Sequence, residues 1–170
     1  MNAPSLTDWV EASTDALIEI APSVGFEGRR VPAADEVEAS DCAALIPMFG
    51  SHGPVQIALV VGKPSCQALS KGLLCMEPTD DDLSMVDVAD AIREIANMIA
   101  GMVKARLVDQ DPKITLGLPV FVNGAVLPNS GQEFERVATM LGDNRADLVV
   151  FHEADPASLQ GEVEERPQEN

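Results

Sequence analysis

The chain has 170 residues, of which 46% are apolar, and carries a net charge of −17. That is enough apolar material for one domain with its own core, without metal or disulfides to hold it. Eleven Lys and Arg against twenty-eight Asp and Glu exclude a phosphate-backbone or anionic-membrane partner, since both need clustered basic residues. Three cysteines, Cys42, Cys66 and Cys75, without a CxxC pair do not resemble a disulfide framework and read as buried small side chains. The chain shows no basic segment followed by an apolar run at its start, and its apolar runs are too short to span a bilayer. The expected location is the cytoplasm.

In chain order, Ser5 and Asp8 have capping-box spacing, and Trp9, Ala12, Ala16, Leu17 and Ile20 recur at helical intervals. Pro22 should close this first helix. Arg29 to Val31 reads as an edge strand. Residues 43–48 and 55–61 read as an antiparallel hairpin around the turn composition Phe49-Gly-Ser-His-Gly-Pro54. A short helix follows Pro64-Ser65, carrying Ala68, Leu69, Leu73 and Leu74. Asp80, Asp81 and Asp82 read as solubilising charge placed where a helix dipole favours it; they lack the glycine and spaced acids of a calcium loop.

Ser84 and Asp87 mark the start of a long helix expected to run to about Leu107. Ile114 to Val122 is an apolar run broken by Pro119, which predicts an edge, a strand start or a bulge. Residues 136–141 and 147–151 read as a second hairpin around Gly142-Asp-Asn-Arg145. The expected domain spans residues 1–153, and 154–170 reads as an acidic, disordered tail. The fold class is α+β, with helices packed on a largely antiparallel sheet.

No phosphate-binding loop, dinucleotide fingerprint, zinc spacing or nucleophile elbow is present, and only His52 and His152 supply imidazoles, both read as surface residues. No metal site and no cofactor of its own are expected. The long helix is the informative element. At 100° per residue Val88, Ile92, Ile95, Ile99 and Val103 share one face. Asp90, Glu94, Asn97, Gly101 and Lys104 line the opposite side at spacings of 4, 3, 4 and 3, so each touches the next. An amphipathic helix needs some polar face, but Asn and Gly are unfavourable choices for it. Gly alone costs roughly 1 kcal/mol relative to Ala. Their presence suggests that another surface fits there.

The run Asp90-Ala-Ile-Arg-Glu94-Ile-Ala-Asn97-Met-Ile-Ala-Gly101, followed by Leu116-Gly-Leu-Pro119, resembles the signature of the CheC/CheX/FliY chemotaxis phosphatases. That signature is Asp or Ser, three residues, Glu, two residues, Asn and a more distant proline. The resemblance covers about residues 5–153 and implies a single CheX-like domain. It implies that the protein dephosphorylates a CheY-type response regulator in chemotaxis or two-component signalling, with Glu94 and Asn97 as catalytic positions. Asn97 would hold a water in line with the acyl phosphate, and Glu94 would pair with a partner lysine. Asp90, Gly101 and Lys104 would contact the partner, Pro119 would shape the adjacent strand, and Mg²⁺ would be held by the partner receiver domain. A homodimer formed through the sheet is a further expectation of the resemblance. The first helix offers Thr7, Glu11 and Thr14 at the same spacing, with Thr14 in place of the asparagine, so at most one active helix is expected. The alternative is a non-catalytic CheX-like module that binds a response regulator or motor component.

Overall fold

The computed structural model describes residues 3–32, 42–124, 126–129 and 131–153. The element order is α1 (Leu6–Ile20), β1 (Gly28–Arg30), β2 (Cys42–Gly50), β3 (Gly53–Val61), α2 (Lys63–Leu73), α3 (Met85–Leu107), β4 (Thr115–Leu116), β5 (Val120–Val122), β6 (Gln132–Leu141) and β7 (Asn144–Glu153). The tail assigned to 154–170 lies outside the described residues.

Helix α1 starts where its cap predicts. The Ser5 hydroxyl accepts from the Asp8 N–H at 3.2 Å, and the Asp8 carboxylate accepts from the Ser5 N–H at 2.8 Å. The chain then tightens into a 3-10 turn at Ala21–Val24, with Pro22 inside it, and leaves through Gly25 in the left-handed region. The sheet runs β1-β6-β7-β3-β2, with β4 and β5 both on the far edge of β2, and every described pairing is antiparallel.

The break between β4 and β5 has a specific cause. The Pro47 carbonyl in β2 accepts from the Gly117 N–H at 2.7 Å. Its ring nitrogen faces the same edge and has no hydrogen to give. The neighbouring strand therefore interrupts its ladder at Gly117-Leu118-Pro119. Gly117 also lies against Pro47, where an added Cβ would meet the ring at 2.6 Å.

All three helices cover one face of the sheet. The main core joins Leu17 and Ile20 of α1, Leu69 of α2, Ile92, Ile95 and Ile99 of α3, and Ile46, Ile57, Leu141 and Leu148 from the strands. A smaller cluster of Ala58, Val149 and Phe151 lies on the other face, where Val126 packs.

Burial of α2 brings Cys66 back over Cys42, because Cys42 pairs with Val61 at the end of the hairpin and the helix begins two residues later. Both are buried and their sulfurs are paired. This corrects the expectation of unpaired cysteines. Cys75, also expected to be buried, is exposed beyond the end of α2 at φ 56°.

Two polar braces hold the start of α3. The Gln67 carboxamide donates to the Leu83 carbonyl at 2.9 Å and accepts from the Leu83 N–H at 3.0 Å. Lys71 is buried and donates to the Asp80 carbonyl at 2.7 Å and the Asp82 carboxylate at 3.2 Å. At the other end of α3, Asp111 ties the connection to the β2–β3 turn. The Ser51 backbone N–H at 2.6 Å holds its carboxyl below the usual range, opposed by burial and reinforced by the Lys113 N–H and the Ser51 hydroxyl.

Candidate functional site

The polar stripe of α3 is set by the opposite, buried face. Val88, Ile92, Ile95, Ile99 and Val103 are each at most 1% exposed. Burying a side chain of this size stabilises by about 1.5–3 kcal/mol, so the five together fix the rotation of the helix. Ser84 caps it by accepting from the Asp87 N–H at 3.2 Å. α3 then lies between α1 and the β2/β5 edge of the sheet, with α2 against its N-terminal part.

With that rotation, Asp90, Glu94, Asn97 and Gly101 are exposed and Lys104 is half-buried. The sequence-derived residues of the helix are therefore brought to one line. They are not chemically equal. Asp90 is paired with Arg93 of its own helix, and Arg93 also donates to the Ala89 carbonyl at 3.3 Å. Among the described residues, no side-chain hydrogen bond engages Glu94 or Asn97. The stripe thus presents a free carboxylate beside a free carboxamide, with the neighbouring acid neutralised. Arg93 was not singled out from the sequence, although its i,i+3 relation to Asp90 was a readable signal.

Gly101 opens a shallow step in the stripe: a Cβ added there meets nothing within 4 Å. Pro119 stands apart from the helix face. It is half-buried in the break between β4 and β5, and it leads into the strand that packs beside α3. It is the last residue before β5 begins at Val120.

On α1 the corresponding line leaves Thr7 and Glu11 exposed but is closed at its third position. Thr14 is fully buried, and its hydroxyl donates to the Val10 carbonyl at 2.7 Å. Ser13 does the same to the Trp9 carbonyl at 2.7 Å. Among the described residues, no group of three or more His, Cys, Asp or Glu is arranged to hold a metal, and no helix is long and apolar enough to cross a membrane.

A carboxamide and a carboxylate one turn apart on an exposed helix can orient a water and contact a cation; with no strong base or nucleophile beside them, they suit a reaction whose substrate brings its own activation. A family model described as chemotaxis phosphatase CheX matches residues 42–143, which include all of α3 and Pro119. The chain belongs to the CheX family.

Solved structures agree in fold. The chemotaxis protein CheX from Vibrio vulnificus matches at TM-score 0.70 and 19% identity, over 85% of this chain and 99% of that one. CheX from Desulfovibrio desulfuricans matches at TM-score 0.66 and 18% identity, over 85% of this chain and 95% of that one. A CheX–CheY–BeF3–Mg complex from Borrelia burgdorferi matches at TM-score 0.66 and 17% identity, over 89% of this chain and 99% of that one. Among curated proteins, none matches the chain in sequence. The α+β architecture with helices on one face of an antiparallel sheet is that of the CheX and CheC-like proteins.

Proposed function

We propose that this CheX-family chain hydrolyses the aspartyl phosphate of a CheY-type receiver domain, with α3 as the helix presented to the phosphorylated site. The observation that carries this reading is the exposed, unengaged pair Glu94 and Asn97 on the free face of α3. Support comes from the family itself and from the relative in complex with CheY, BeF3 and Mg.

The acyl phosphate needs little chemistry from this chain. A water attacks phosphorus, the bond to the aspartyl oxygen breaks, and the carboxylate leaves with inorganic phosphate as the second product. A Mg²⁺ held by the receiver domain would supply the balance for the developing charge, as the Mg in the CheX–CheY–BeF3 relative suggests. Asn97 is the residue that touches the reacting atoms. Its carboxamide accepts from and donates to the water and holds it in line, without competing as a nucleophile. Glu94 pairs with a lysine of the receiver and fixes the helix on it. Lys104 is the cation of the stripe and Gly101 its clearance. Asp90 contributes through Arg93. Pro119 shapes β5 beside the helix. The setting is cytoplasmic two-component signalling, and a homodimer through the sheet is compatible with α3 facing outward.

The test is the decay of phosphorylated CheY-type receiver domains from the same genome, with the wild type and Asn97→Ala. The wild type accelerates decay. The variant loses about 10²-fold of that acceleration with an unchanged melting temperature, because Asn97 is exposed. No acceleration with any receiver overturns the reading in favour of a non-catalytic module that binds the regulator.

A further inference from the structure

The free line of α3 does not begin at Asp90. Val86, Asp90, Glu94, Asn97, Gly101, Lys104 and Val108 follow one another at spacings of 4, 4, 3, 4, 3 and 4, which keeps them within one narrow strip of the helix surface. The polar stripe is therefore flanked by a valine at each end. Val86 is 71% exposed and Val108 41% exposed. The core ridge begins only at Val88, and the brace from Gln67 acts on Leu83, so neither element uses Val86. A β-branched residue is also a poorer choice than Ala on an exposed helix surface, and a first turn favours acids over an aliphatic.

We propose that Val86 is an apolar docking residue for the receiver domain, governing how tightly the partner is held and not how fast it is hydrolysed. This rests on the function proposed above and extends its surface by one turn. Size decides between the two valines. A standard interface covers about 800 Å² per partner, a disc of roughly 16 Å radius. Centred between Glu94 and Asn97, at about 1.5 Å per residue, it reaches Val86 at about 14 Å and stops short of Val108 at about 19 Å. Charge supplies the need for such a contact. The chain carries −17 and its substrate is an anionic acyl phosphate, so long-range attraction does not assemble this complex. An aliphatic contact adds affinity that charge and salt do not reverse.

The experiment measures receiver-phosphate decay over a range of receiver concentrations, together with affinity for the receiver loaded with BeF3⁻ and Mg²⁺. The proteins are the wild type, Val86→Ala, Val86→Ile and Val108→Ala. Val86→Ala should raise KM and the dissociation constant about tenfold, the loss of two buried methylene equivalents, with kcat within about twofold of the wild type. Val86→Ile should retain wild-type affinity, and Val108→Ala should change nothing. Since Ala is the better helix former, a weakened helix does not account for the loss. An active wild type with unchanged KM in Val86→Ala, an equal effect of Val108→Ala, or a fall in kcat alone overturns this inference and leaves the phosphatase reading standing. A wild type inactive on every receiver overturns both.

Discussion

α1 and α3 lie side by side on the same face of the sheet and carry polar residues at the same 4 and 3 spacing, yet only α3 exposes all three of them. On α1 the third position, Thr14, is buried and turned back onto the Val10 carbonyl. Two of its exposed acids are occupied as well, Asp15 by Arg30 at 2.8 Å and Glu19 by Arg106 of α3, while Glu11 stays exposed beside the buried Thr14. On α3 the same spacing falls opposite a fully buried ridge, and Glu94 and Asn97 point outward with no partner among the described residues. Spacing thus defines a line on a helix, but the rotation imposed by the core decides whether that line is a surface. α1 turns Thr14, Asp15 and Glu19 back onto the fold, and α3 leaves Glu94 and Asn97 facing outward.

The largest effect tests the ridge that sets this rotation. Ile99→Asp places an unpaired carboxylate where nothing is exposed and should cost more than about 4 kcal/mol, enough to lose the cooperative unfolding transition in circular dichroism. A soluble, cooperatively folded variant would mean that α3 is not anchored by this face, and the contrast with α1 would fall. Thr14→Asn comes next. It supplies the missing residue on α1, but into a buried position, so it should destabilise by about 1–3 kcal/mol. In an Asn97→Ala background it should restore no dephosphorylation. Recovered activity would show that α1 can turn its line outward.

Two glutamates give a smaller, sharper contrast. Glu94→Ala should weaken binding to the BeF3⁻-loaded receiver about tenfold while leaving stability unchanged. Glu19→Ala should do the reverse, leaving affinity unchanged and reducing stability by less than about 1 kcal/mol, as an exposed ion pair does. Calorimetry on both variants reads the two quantities. If Glu94→Ala lost stability instead, its carboxylate would be structural like that of Glu19.

Much of this contrast was legible in the sequence, because it rests on local rules. The caps Ser5 and Ser84, the ridge from Val88 to Val103 and the hairpin from Cys42 to Val61 all follow from spacing and turn chemistry. What was not legible depends on long-range placement. Pro47 lies inside an apolar run, and its effect on β4 and β5 appears only once those strands lie against it. Cys42 and Cys66 meet because α2 folds back over β2. Lys71 is buried with the acidic loop wrapped round its ammonium group, a contact that no local rule marks. For the site, spacing marked Asp90 and Glu94 alike. The i,i+3 position of Arg93 hinted at which acid is neutralised, and the side-chain geometry places that pairing on Asp90 and leaves Glu94 free.

The smallest predicted change is the most discriminating, because stability and activity should move in opposite directions. A methyl group at Gly101 meets nothing within 4 Å inside this chain, and replacing a mid-helix glycine by alanine should stabilise by about 0.8–1 kcal/mol. If the glycine served only the fold, Gly101→Ala would be an improvement with no penalty. If it is clearance for a docked receiver domain, the same methyl group stands in the interface, one turn beyond Asn97, and displaces the carboxamide from the reacting phosphate. The melting temperature should then rise while the acceleration of phosphoreceiver decay falls. A rise in both, or a rise in stability with unchanged decay, would mean that the partner does not approach the helix at this step. The surface that distinguishes α3 from α1 would then end at Asn97.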